Sequence, residues 1–231
     1  MSRIPTLFVL PACVALMLAA DPAWKTKPVV QWSEDDAKQV LAGSPWVKRA
    51  VVTLLPELTA QQRKEGGATG GGKGVGADGL GLGDPLTPAA PRASQPKPTF
   101  ALTLRWESAF PVRTAELKAH DLESPDWDGD AYVLAVYDVP DLKVGANQKA
   151  EAALLKQVAF LKREGKKDLK PSSVELMQEP NGLAIVVYVF PRSPEISLED
   201  ERVEFVAQIN RLSLAQYFFP AQMELQGRLE L

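Results

Sequence analysis

The sequence predicts an α+β fold: a mostly antiparallel sheet, two or three packed helices, and one long Gly/Pro-rich loop. Three observations predict it. Apolar residues alternate at period two, as in Phe100, Leu102, Leu104 and Trp106, which places them on one face of a strand. Other stretches carry apolar residues at helical spacing behind good N-terminal signals. An Asn181-Gly182 pair separates two strand-like runs, the chemistry of a tight hairpin turn.

Residues 1–20 read as a secretory signal peptide. Arg3 is the only charge before Asp21, an apolar run extends to Leu18, and Ala19-Ala20 supply the small residues that a signal peptidase needs. Cleavage is expected between Ala20 and Asp21. The run is shorter than the ~20 residues of a membrane span and is interrupted by Pro5 and Pro11. No transmembrane span is therefore expected once the signal is removed. A second reading takes Leu10-Pro11-Ala12-Cys13 as a lipoprotein box, which would tether the protein through Cys13. Either way the address is export, to the periplasm or beyond.

Residues 21–61 hold the first elements of the domain. Ser33-Glu34-Asp35-Asp36 opens a helix, with Ser33 as N-cap and the acids where the helix dipole favours them. Ala37, Val40 and Leu41 form its apolar face, and Gly43-Ser44-Pro45 stops it. Trp46 to Leu55 reads as a strand. Residues 62–98 are dominated by Gly, Pro, Ala and Ser, and aromatics are absent from Gly66 to Pro98. Such a composition cannot bury enough apolar surface to offset its ordering entropy, so the segment is expected to be disordered. Because strand-like runs flank it, it is read as the long loop of a hairpin. The loop is tolerable because closure cost grows only logarithmically with length.

The remainder, residues 99–231, alternates elements. Thr99 to Trp106 is a strand, Ala109 to Ala119 a helix with Pro111 early, and Ala131 to Tyr137 a buried strand ended by Pro140. Asn147 to Arg163 is expected as one helix, with Ala150, Leu154, Val158 and Leu161 on its apolar side. Ser173–Gln178 and Leu183–Phe190 form the Asn-Gly hairpin. The end reads as a meander: Val203 to Ile209, Leu212 to Phe218, and a last strand from Met223 to Leu231.

Composition narrows the chemistry. The chain carries 26 Lys and Arg against 29 Asp and Glu, net −3, and loss of Arg3 with the signal makes it −4. Nothing in that balance attracts nucleic acid. The only cysteine is Cys13, so the mature chain has no thiol nucleophile, thiolate metal site or disulfide. The only histidine, His120, stands at a predicted helix end, where a capping or surface role is expected. No cofactor is expected. The glycine tract contains G-x-x-x-x-G-K from Gly67 to Lys73 and G-x-G-x-x-G from Gly74 to Gly79. Neither follows a strand and opens a helix, the geometry that aims N–H groups at phosphate.

Two charged stretches are candidate binding sites. Asp126, Asp128 and Asp130 alternate as in the start of a calcium loop, but Ala131 and Tyr137 break the EF-hand register, and a solvated turn is the competing reading. Lys162, Arg163, Lys166, Lys167 and Lys170 could bind an anion, or could be a cationic helix C-terminus capped by Gly165.

Several stretches also resemble a family of exported proteins from acidobacterial-type soil bacteria. They are Trp32 to Leu41 (WSEDDAKQVL) with Ser44-Pro45-Trp46 and the glycine-rich tract, Leu104 to Ala109, Lys162 to Glu175 (KREGKKDLKPSSVE), and the strands around Val203-Glu204-Phe205. The resemblance implies export and a variable glycine-rich insertion, and carries no activity or site residues. Three functional expectations follow. The first is a non-enzymatic envelope or secreted module that binds an envelope protein or polymer. The others are a hydrolase-like enzyme using carboxylates and a calcium-stabilised structural domain.

Overall fold

A computed structural model of the chain describes residues 21–54, 99–120, 130–142 and 144–231. The expected signal peptide up to Ala20, the Gly/Pro-rich stretch 62–98, and Asp126 and Asp128 lie outside the described residues. The fold is α+β and its sheets are antiparallel throughout.

Helix α1 (Ala23–Thr26) and a short 3₁₀ turn (Val29–Gln31) lead into α2 (Glu34–Ala42). Ser33 caps α2 as its sequence requires. Its Oγ accepts from Asp36 N–H at 3.2 Å, and Asp36 Oδ2 accepts from Ser33 N–H at 2.9 Å, a reciprocal capping box. Lys27 and Ser33 together hold the Asp36 carboxyl down, at about 2. Strands β1 (Val47–Thr53) and β2 (Thr99–Trp106) pair antiparallel in register from Val47↔Arg105 to Thr53↔Thr99, the expected hairpin. Helix α3 (Phe110–Ala119) follows and ends at His120, whose φ of 55° makes it a left-handed C-cap.

Strands β3 (Ala131–Val139), β5 (Ser173–Gln178) and β6 (Ala184–Pro191) complete a five-stranded sheet of order β1-β2-β3-β6-β5. The β5–β6 turn closes as the Asn-Gly pair predicts. Gly182 takes φ 89°, and Asn181 Oδ1 accepts from Leu183 N–H at 2.8 Å. Strands β4 (Phe160–Arg163), β7 (Val203–Ile209) and β8 (Leu212–Phe218) form a second sheet of order β4-β7-β8. A single bridge, Leu54↔Leu212, links the chain just past β1 to β8.

Aromatic side chains join the two sheets. Trp106 on β2 meets Tyr132 on β3 and Phe218 on β8 edge-to-face, with centroids 5.9 and 5.2 Å away. Phe205 on β7 meets Tyr188 and Phe190 on β6 at 5.2 and 6.3 Å. Each such contact adds about 0.5–1.5 kcal/mol beyond burial. Strands β3 and β6, central in their sheet, also bury their second face through Val133, Ala135, Ile185 and Val187. That explains their unbroken apolar sequences, since alternation survives only where one face meets water. The two ends of the chain are tied as well: Trp46 Nε1 donates to Glu230 O at 2.7 Å across 184 positions.

Two expectations need correction. The helix expected from Asn147 to Arg163 is α4 (Gln148–Gln157), and the chain then turns into β4. Within α4 Leu155 is buried and Leu154 exposed, while Val158 and Leu161 lie beyond the helix, so the four apolar positions share no helical face. Pairing of β4 with β7, Phe160↔Val206 through Arg163↔Val203, outweighs local helix propensity. Gly165, at φ 67°, serves the turn after β4 and caps no helix. The strand expected from Met223 to Leu231 is a small hairpin of β9 (Glu224–Leu225) and β10 (Arg228–Leu229). Gln226 and Gly227 both adopt positive φ between them, the geometry of a tight hairpin turn.

Candidate functional site

Three segments remote in sequence build an open groove of about 890 Å³. Trp24 and Lys25 on α1, Ser44 and Pro45 just past α2, Lys48 and Arg49 on β1, and Gln222 and Glu224, next to and on β9, line it. The fold brings these segments together. Gly43 ends α2, Trp46 anchors the start of β1 through Glu230, and the 3₁₀ turn Pro220–Gln222 leads into β9.

The groove is rich in donors. Lys25 and Arg49 are exposed, and half-burial pulls the Lys48 ammonium down from its ordinary value. Trp24 Nε1 and Ser44 Oγ are buried atoms with no hydrogen-bond partner among the described residues, as is Trp106 Nε1 in the core. Two other indoles are satisfied: Trp32 Nε1 donates to Lys27 O at 3.2 Å and Trp46 Nε1 to Glu230 O. The groove can neutralise negative charge through Lys25, Lys48 and Arg49, and Glu224 is the one carboxylate among its described lining residues.

The basic residues singled out in the sequence divide. Arg163 points inward, with a side chain 1% exposed; it donates to Glu195 O at 2.9 Å and stands 3.9 Å from Asp200. Lys166 pairs with Asp200 Oδ1 at 2.8 Å. Burial would raise the Asp200 carboxyl, but Lys166, the Ser197 N–H and Arg163 together hold it below its ordinary value. Lys170 sits 5.5 Å above the Phe160 ring, and Lys162 faces a small mixed-charge depression with Arg202 and Glu204. Lys167 is exposed, and its carbonyl accepts from Arg163 at 3.4 Å. Of the calcium candidates, Asp130 is described: it is exposed and lies 2.9 Å from Arg192 Nε. Among the described residues no group of three His, Cys, Asp or Glu is placed to hold a metal ion. None of their helices is long and apolar enough to cross a membrane.

A second polar centre escaped sequence reading. Glu107, just after β2, and Glu116 on α3 are both buried and lie within hydrogen-bonding reach of one another. Tyr137 Oη on β3 donates to Glu107 Oε1 at 2.7 Å. Arg105 on β2 lies 4.3 Å over the Tyr137 ring and 3.7 Å from Glu116 Oε1. Burial foremost, then Glu116, pushes the Glu107 carboxyl well above its ordinary value. Their burial and mutual hydrogen-bonding reach contrast with the open, water-holding gap that a pair of hydrolytic carboxylates must flank. The strand alternation offered one clue, since it puts Arg105 and Glu107 on the same side.

No family model, no curated protein and no solved structure matches the chain.

Proposed function

We propose that the protein is an exported, non-enzymatic binding module whose groove holds an anionic polymer of the cell envelope. The observation that carries the reading is the groove itself: Lys25, Lys48 and Arg49 line it beside Trp24, with Glu224 as the one carboxylate among the described lining residues. Three cations against one carboxylate favour a ligand bearing repeated negative charges, and an indole wall suits the ring faces of a sugar chain. The signal-like first 20 residues and the resemblance to exported acidobacterial-type proteins support the address.

Titration of the mature protein with polygalacturonate, followed by calorimetry and tryptophan fluorescence, tests the reading. Saturable binding is expected, weakening with salt because exposed charges are screened. Lys25→Glu with Arg49→Glu should weaken it at least about tenfold, or about 1.4 kcal/mol. No saturable binding, equal affinity for neutral dextran, or unchanged affinity in the double variant would overturn it.

A further inference from the structure

The Glu107–Glu116 centre has a chemistry of its own, separate from the groove. Two carboxyls lie at hydrogen-bonding distance in a site where Glu107 is 2% and Glu116 7% exposed. Glu107 Oε2 and Glu116 Oε1 have no hydrogen-bond donor among the described residues. Two ionised carboxylates cannot occupy such a site together, because their repulsion is unscreened and their open oxygens are desolvated. One proton placed between them removes both faults, since one carboxyl becomes a donor and the other accepts. Tyr137 already fills Glu107 Oε1, and the Arg105 guanidinium faces the charge left on Glu116.

We propose that Glu107 and Glu116 share one proton and that the pair is a pH-sensitive latch fixing α3 to the five-stranded sheet. The geometry defines what it joins. Glu107 sits in the turn leaving β2, a turn locked to β3 by Ser108, whose Oγ accepts from Val133 N–H at 3.0 Å. Glu116 belongs to α3, which packs against α2. Loss of the proton places two negative charges on opposite sides of the α3–sheet junction, with Arg105 as the cation facing them. Among the described residues, the charged and titratable groups that face Glu107 are Arg105 from β2, Glu116 from α3 and Tyr137 from β3. Proton loss therefore drives α3 off the sheet.

The sign follows from the direction of the shift. Glu107 keeps its proton in the folded chain well above the ordinary carboxyl value and loses it at the ordinary value in the unfolded chain. The stabilisation is complete below the ordinary value and declines as pH rises toward and through the folded one.

Melting temperatures from about pH 5 to about pH 9 provide the test, with Glu107→Gln as the key variant. A glutamine reproduces the neutral carboxyl, accepting from Tyr137 and donating to Glu116, yet has no proton to lose. The wild type should lose melting temperature toward alkaline pH, and Glu107→Gln should lose at least half of that slope. Amide exchange in α3, corrected for its intrinsic pH dependence, should accelerate at high pH in the wild type alone. Infrared spectroscopy of the wild type gives a readout that needs no variant to fold: a protonated carboxylic acid band should persist at neutral pH. A flat wild-type profile, an unchanged slope in Glu107→Gln, or absence of that band overturns the proposal.

Discussion

Two buried charge clusters stand among the described residues, one beside β4 and one at the end of β2, and they are built on opposite plans. Next to β4, Asp200 is surrounded by unlike groups: Arg163, Lys166 and the Ser197 N–H. At the end of β2, Glu107 faces a like group, Glu116. The first cluster is satisfied by charge; the second is satisfied only by a proton. Their stabilities must therefore fail at opposite ends of the pH scale. Asp200, held below its ordinary value, contributes fully above that value and loses its contribution as pH falls through the folded one. Glu107, held above its ordinary value, loses its contribution as pH rises.

Removal of Arg163 should break the comparison most severely. Arg163→Ala removes a fully buried guanidinium that donates to Glu195 O and stands 3.9 Å from Asp200, and should cost about 3–5 kcal/mol in urea denaturation. Glu107→Ala should come next, at about 2–3 kcal/mol, because it opens a cavity and strands the Tyr137 hydroxyl. The isosteric Glu107→Gln should match the wild type near the ordinary carboxyl value and exceed it in stability at pH 7, and the contrast between the two variants isolates the shared proton from the packing. Asp200→Asn should flatten the acid limb of the stability profile and leave the alkaline limb unchanged, as read from melting temperatures at about pH 3 to 6. Lys166→Ala should be the mildest, at about 1 kcal/mol or less, because that ammonium is partly in water.

How far the sequence revealed these features depends on the range of the forces involved. Helix α2 was legible because Ser33 and Asp36 act within three positions of each other. The β1–β2 and β5–β6 pairings were legible because alternation and the Asn-Gly turn are local signals. Strand β4 was not: Phe160 to Arg163 is extended because β7 pairs with it, and nothing in its own residues announces that partner. The same limit hid the sites. Arg163 reads as one base in a basic run, and only the strand shows that it turns inward toward Asp200. Glu107 and Glu116 are two acids among 29, brought together by a turn and a helix face. The groove takes its walls from α1, β1 and the β9 region, so no single stretch could display it.

The hydrogen bond from Trp46 to Glu230 has a consequence in time. It closes a loop of almost the whole described chain, and its indole is fully buried. A core in which Trp46 leans on Glu230 is incomplete until the β9–β10 hairpin has reached it. Contacts of such high sequence separation delay the folding transition until loop closure has been met. The Trp46 site is therefore expected to lock late, after the local hairpins have formed.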